Sequence, residues 1–280
     1  VKRTGLLDRV KGVLQAAGIE FVELGGVVPN PHLSLVYKGI ELCKQKKVDF
    51  ILAIGGGSVI DSSKAIGYGV TNPGDVWDFY DFKRDPKACL PVGVILTIAA
   101  SGSEMSDSSV ITKEEGGIKR GRNSELCRPR FAIMNPELTM TLPPYQTACG
   151  CADIIMHTME RYFTNGEHLK LTDNIAEGLI RNMLVQTAIL AQEPNNYAAR
   201  AEVMWSGSLS HNGLTGCGNT ANDFATHRLE HELGGMFDVT HGAGLTAVWG
   251  SWARYVHKDC LHRFYQFAVN VMGVTPQADK

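Results

Sequence analysis

Asp153 and His157 stand four residues apart in CADIIMHTMERYF, and His227 and His231 repeat that spacing in FATHRLEHELGG. Four residues is just over one helical turn, so on a helix each pair shares a face. His241 follows in FDVTHGAGL, after a glycine-containing turn. Taken singly, each histidine is more readily a satisfied core or surface residue than a ligand. As a set, His227, His231 and His241 with the helical Asp153-x-x-x-His157 point to a bound metal. Imidazole nitrogen with one carboxylate suits Zn²⁺ or Fe²⁺ and needs no thiolate. The H-E-x-x-H motif is absent, because Arg228 follows His227 and Glu232 follows the wrong histidine, which argues against a helical zinc protease. The other histidines, at 32, 168, 211, 257 and 262, lack organised neighbours in the sequence and read as structural.

A second feature is Gly55-Gly56-Gly57-Ser58, between the apolar run DFILAI and a helix expected from about Ile60. A glycine turn at that junction aims backbone N–H groups and a helix N-terminus at an anion, commonly a phosphate. Ile60 takes the place of the last glycine of G-x-G-x-x-G, and no Gly-Lys-Ser/Thr follows, so neither phosphate-loop motif is met. Alone, the triplet reads first as a tight turn. Asp61 and Lys64, one turn on, read equally as a solvated i, i+3 pair.

The elements that must position these residues fall into two textures. In the first half helix and strand signals alternate: a helix from Leu6 ended by Gly18, a short strand Ile19 to Leu24, a helix Leu33 to Lys46, and buried strands Asp49 to Ile54, Pro91 to Ile98 and Phe131 to Met134. This is an open, largely parallel α/β pattern. After Leu142-Pro143-Pro144 the signals are helical: Ile175 to Gln192, Tyr197 to Leu209, and two more between Trp249 and Met272. The expected division is an α/β domain over 1–143 and a helical domain over 144–280.

The 280 residues carry 27 basic against 29 acidic side chains, a formal charge of -2 that argues against a dedicated nucleic-acid binder. The longest apolar run, Leu90 to Ala100, is too short to cross a membrane, and no signal-peptide core opens the chain. Seven cysteines without a disulfide-scaffold pattern suggest reduced thiols and a cytoplasmic setting.

Six segments together resemble the iron-containing (group III) alcohol dehydrogenases, most of all their butanol dehydrogenase and NADPH-dependent aldehyde reductase branch. They are AIGGGSVIDSSKAI (53–66), LTIAASGSEMSDSSVIT (96–112), LTMTLPP (138–144), GCADIIMHTMERYFT (150–164), ARAEVMWSGSLSHNG (199–213) and THRLEHELGGMFDVTHGAGL (226–245). The resemblance implies a dehydroquinate synthase-like fold: a Rossmann-type parallel-sheet nucleotide domain, then a helical metal-binding domain. It implies that Asp153, His157, His227 and His241 bind the metal, Fe²⁺ or else Zn²⁺, and that His231 lies beside the substrate as the catalytic residue. Gly56, Gly57 and Ser58 would hold the cofactor pyrophosphate, with Asp61 counted in the same loop. Thr97, Ser101 and Ser106 would line the cofactor cleft. Lys119 would contact the cofactor, and Thr139 and Leu142 would flank its adenosine.

The implied reaction is reversible hydride transfer between a primary alcohol and its aldehyde, in a cytoplasmic homo-oligomer, expected to be a dimer, with no nucleic-acid or membrane partner. NADP(H) is expected over NAD(H), with Lys2 and Arg3 placed to pair a 2′-phosphate. The family extends further at both ends. The first strand of the nucleotide domain, the loop that separates NAD from NADP, and further C-terminal helices are therefore expected to be missing from this chain. The rival readings are a glycerol dehydrogenase-like or dehydroquinate synthase-like enzyme of the same fold, and a truncated, non-catalytic remnant.

Overall fold

The structure, a computed structural model, describes residues 1–166, 169–219 and 224–276. The first half holds α1 (Leu6–Ala16), α2 (Leu33–Lys46), β1 (Ile51–Gly55), α3 (Gly57–Thr71), the short α4 (Trp77–Tyr80), β2 (Val92–Leu96), β3 (Ser108–Lys113), β4 (Ile118–Asn123) and β5 (Phe131–Ile133). Strands β1, β2 and β5 form a parallel sheet in that order, with Ile51 opposite Val92 and Gly93 opposite Phe131. Every residue of the central strand VGVIL is buried, as an apolar run covered on both faces requires. Strands β3 and β4 form a separate antiparallel hairpin that the sequence reading did not anticipate. Its turn uses Gly116 and Gly117 at φ of 84° and 61°, where a side chain would be strained.

The second half is helical: α5 (Pro144–Tyr162), α6 (Lys170–Gln192), α7 (Tyr197–His211), α8 (Ala225–Phe237), α9 (His241–Val256) and α10 (Leu261–Asn270). One apolar cluster joins Met156 and Tyr162 of α5, and Phe163 just after it, to Leu245 of α9, with Trp249 and Phe267 against it. Another packs Ile154 of α5 against Met183 of α6 and Val203 of α7. Helix α5 is thus clamped from two sides and serves as the axis on which the other helices are placed.

Three expectations are corrected. Strand β5 pairs but is not buried: at the sheet edge, with β2 on one side alone, it leaves Phe131 and Ile133 exposed. Residues 19–24 are not a strand, and Ile19 and Val22 remain exposed. The apolar Ile19, Phe21, Val22 and Leu24 favour an extended chain, but a strand also needs a neighbouring strand for its N–H and C=O groups, and no strand among the described residues pairs with this segment. Asp61 and Lys64 are not a solvated pair either. Lys64 is fully buried, and its Nζ donates to the carbonyls of Ser103, Ser106 and Ser108 at 2.7, 3.0 and 2.7 Å. Asp61 accepts from Ser103 Oγ at 2.5 Å and from the Val110 N–H at 3.0 Å. Burial pushes the Lys64 ammonium down and the Asp61 carboxyl up from their ordinary pKa values. Lys64 thereby ties helix α3 to the 103–108 segment, and Asp61 links the same helix to strand β3.

Glycines set the helical half against itself and against the sheet. A Cβ on Gly242 of α9 would lie 2.0 Å from the carbonyl oxygen of Cys149 in α5. A Cβ on Gly150 of α5 would lie 2.5 Å from the carbonyl oxygen of Ala99, just past β2. These are contacts of backbone on backbone, so neither can be relieved by a side-chain rotation. Gly242→Ala is therefore expected to separate α9 from α5 and to destabilise the fold by about 1–3 kcal/mol. A denaturant titration checks this through the transition midpoint, and an unchanged midpoint would contradict the close approach.

Candidate metal centre

Helix α5 starts with Pro144 in its first turn, where a missing N–H costs nothing, and runs for 19 residues. Asp153, His157 and Glu160 recur on its buried face. Helix α8 brings His227, Glu230 and His231. The chain reverses through Asp238, at φ 52°, and His241 opens α9. Contrary to the sequence reading, the nearby glycines are not in this turn: Gly234 and Gly235 lie within α8, and Gly242 and Gly244 within α9.

The three helices converge on one carboxylate oxygen. Asp153 Oδ1 lies 3.2 Å from His157 Nδ1, 3.8 Å from His227 Nε2 and 3.6 Å from His241 Nε2. Asp153, His157 and His227 are buried, and their potential ligand atoms all lie within 4.8 Å of one another. Asp153 Oδ1, His157 Nδ1 and His227 Nε2 have no hydrogen-bond partner. Buried polar atoms are seldom left so, because each loses its solvation without replacement. Lone pairs pointed at one another in a dry space fit a cation between them.

The opposite ring nitrogens are held by carboxylates. His227 Nδ1 is 3.0 Å from Glu160 Oε1, which also accepts from the His227 backbone N–H and from Thr226 Oγ1. His241 Nδ1 is bonded to Glu230 Oε2. A carboxylate that accepts an Nδ1 proton leaves Nε2 with its lone pair, the form a metal requires. Burial alone would raise the Glu160 carboxyl, but the bonds from His227 and Thr226 bring it below its ordinary value. Burial likewise would lower His227, and the nearby Asp153 carboxylate and the bond to Glu160 raise it instead. His157 is held well below its ordinary value by burial and by the neighbouring His211 and His227.

His231 lies one turn beyond His227, with its ring 6.1 Å from that of His241. Burial, followed by the Lys119 charge, keeps its pKa well below the ordinary value. His211, which the sequence left as structural, also belongs here. Its ring centre is 4.0 Å from that of His157, and its Nδ1 accepts from Arg161 Nη2 at 3.2 Å. His168 lies outside the described residues.

The cofactor-side residues divide into groups. Gly56, Gly57 and Ser58 form the junction of β1 with α3, and the Thr97 N–H donates to the Gly55 carbonyl at 3.0 Å. A Cβ on Gly56 would meet Ile98 at 2.8 Å, and one on Gly57 would meet Ser101 Oγ at 2.3 Å, so Thr97 and Ser101 do flank the glycine turn. Asp61 and Ser106 lie behind it around Lys64, and Ser106 has no exposed surface. Thr139 and Leu142 border a small cleft with Ala99 and Arg200. Lys119 stands apart from all of these. It reaches the metal cluster, with Nζ 3.0 Å from Glu230 Oε2.

Sequence reasoning missed Glu160, Glu230, Arg161 and His211. A signal existed for the two glutamates, since each stands three residues after a singled-out histidine and so on the same helix face. None existed for His211, which arrives through the packing of α7 on α5.

The chain is similar to known proteins along its whole length. The description "Iron-containing alcohol dehydrogenase" matches residues 1–136, and "Fe-containing alcohol dehydrogenase family, C-terminal" matches residues 147–280. The chain is 41% identical over its whole length to NADH-dependent butanol dehydrogenase A of Clostridium acetobutylicum, covering 72% of that protein. It is 35% identical to NADPH-dependent aldehyde reductase YqhD of Escherichia coli, again over its whole length and 72% of the relative. The crystal structure of NADH-dependent butanol dehydrogenase A from Thermotoga maritima superposes with a TM-score of 0.96 at 39% identity, over 99% of this chain and 70% of the other. With both halves matched in order and relatives above 30% identity along its full length, the chain belongs to the iron-containing alcohol dehydrogenase family.

Proposed function

We propose that this chain is a metal-dependent NAD(P)(H) alcohol dehydrogenase or aldehyde reductase, interconverting a primary alcohol and its aldehyde. The observation that carries the reading is the set of partnerless, mutually facing atoms on Asp153, His157 and His227, with His241 Nε2 beside them. Those four residues would hold the ion, iron by family and zinc by the same donor chemistry. When bound, the metal supplies Lewis acidity to the substrate oxygen and the nicotinamide gives or takes the hydride. His231, beside the ligands, takes the hydroxyl proton in oxidation and returns it in reduction. The α3 N-terminus at Gly56, Gly57 and Ser58 offers its N–H groups to the cofactor pyrophosphate, with Thr97 and Ser101 along the same turn. A nucleotide domain over 1–143 and a metal domain over 144–280 are part of this reading, supported by the start of α5 at Pro144 and by where the two family descriptions fall. The full-length match to butanol dehydrogenases and an aldehyde reductase favours it over a glycerol dehydrogenase, a dehydroquinate synthase or an inert remnant.

No helix among the described residues is long and apolar enough to cross a membrane, and all seven cysteines are unpaired, which suits the cytoplasm expected from the sequence. A homodimer is part of the same proposal, and light scattering on the purified protein tests it.

Family membership implies a nicotinamide cofactor, and the relatives divide over which one. The aldehyde reductase is named for NADPH, and the butanol dehydrogenases for NADH. Arg3 supports the expected NADP(H), while Lys2 is already paired with Glu23 at 2.6 Å. The ratio of kcat/KM for the two cofactors in aldehyde reduction decides the matter. It is expected to favour NADPH and to fall when Lys2 and Arg3 are neutralised, and equal or better use of NADH refutes the preference.

Two variants test the centre. His241→Ala is expected to lower the metal content well below one ion per chain by elemental analysis, and undiminished stoichiometry would remove His241 from the ligand set. His231→Ala is expected to keep its metal while kcat falls by about 10²–10⁴. Loss of metal along with turnover would make His231 a ligand instead.

A further inference from the structure

Lys119 comes from β4, in the sheet-bearing half, yet its ammonium is buried in the helical half. It shares one atom with a metal-site histidine: Glu230 Oε2 accepts from Lys119 Nζ at 3.0 Å and is also bonded to His241 Nδ1. Glu230 has no exposed surface, and its other oxygen, Oε1, has no partner. Three glycines clear the space around this group. A Cβ on Gly234 would stand 2.8 Å from Lys119 Nζ and 3.1 Å from Glu230 Oε1. One on Gly244 would stand 2.8 Å from Glu230 Cγ. One on Gly235 would stand 2.0 Å from the Gly117 carbonyl at the hairpin turn. Asn30 reinforces the junction by donating to Asp238 Oδ1 at 2.7 Å, in the turn between α8 and α9.

We propose that Glu230 is a positioning residue for the metal centre, and that Lys119, delivered by the hairpin, fixes the Glu230 carboxylate so that it orients His241 towards Asp153. The inference rests on the metal reading above and deepens it. Truncating either partner of a buried ion pair normally harms the fold, whereas the pair as a whole adds little stability over an apolar substitute. Here the pair has a further use. By accepting from Nδ1 it sets the His241 tautomer and ring angle, which leaves the Nε2 lone pair directed at Asp153 Oδ1. Lys119 makes that orientation depend on contact between the two halves of the chain. The hairpin therefore contributes to metal affinity without supplying a ligand.

The test is the Zn²⁺ dissociation constant of the metal-free protein, measured by competition with a chromophoric chelator. Glu230→Gln is expected to raise it by about 10- to 100-fold. Gly234→Ala keeps every ligand and both charges and suits a helix better than glycine, yet the added methyl must displace the Lys119 ammonium. It is expected to raise the constant in the same direction by a smaller factor. Glu232→Gln, exposed on the same helix, should change nothing. Unchanged Zn²⁺ affinity in both Glu230→Gln and Gly234→Ala would overturn the proposal, while failure of the unaltered protein to bind Zn²⁺ would overturn the metal reading itself. Should Glu230→Gln not fold, ¹⁵N spectra of the histidine rings in the Zn²⁺-loaded protein give the answer, with His241 assigned by its loss in His241→Ala. A proton on Nδ1 supports the proposal, and a proton on Nε2 refutes it.

Discussion

A carboxylate oxygen removed from water needs a donor or a cation, and Asp153 Oδ1 has neither within hydrogen-bonding geometry. Three imidazoles from three helices present nitrogens to the same point, and the two whose far nitrogens are anchored are held there by other carboxylates. The helical half is arranged around this arrangement of charge and lone pairs. Without an ion it is a cluster of frustrated polar atoms, and with one it becomes a crosslink among α5, α8 and α9. In the proposed reading, stability and chemistry would share one origin, because the energy that a metal returns on binding would act on the same contacts that assemble the helices.

The geometry is reached by bringing backbones unusually close. Gly242 seats α9 on α5, Gly150 seats α5 on the segment after β2, and Gly235 seats α8 on the hairpin turn. Each places a residue of the site within reach of a neighbour: His241 beside Asp153, the Ala99 region beside α5, and Lys119 beside Glu230. In every case the space that a methyl would take is filled by a carbonyl or a charged group. Glycine here acts through shape more than flexibility, since these three lie inside helices with ordinary backbone angles.

Much of this was legible in the sequence because it is periodic. The four-residue spacing of Asp153 and His157, and of His227 and His231, placed each pair on one face, and the apolar runs around Val94 and Ala53 read as buried strands. What was not legible depends on partners distant in the chain. Residues 19–24 have the apolar content of a strand but no neighbouring strand among the described residues to pair with. Lys64 looks like a surface lysine until the 103–108 segment folds over it and supplies three carbonyls. His211 joins the centre only because α7 lies against α5. Glu160 and Glu230 are intermediate: their spacing announces a shared face, and only the fold shows that the face is the buried one.

Lys64 has a consequence for the neighbouring turn. With its ammonium spent on backbone carbonyls from Ser103, Ser106 and Ser108, the wall beside the glycine junction is held by the protein's own interior. That wall needs no ligand to order it. A dinucleotide docking there, as proposed, would meet a wall already held by internal hydrogen bonds, so little conformational entropy would be lost. Selectivity at such a surface is a matter of shape matched in advance: a molecule that departs from the mould is excluded, because the mould has no slack with which to follow it.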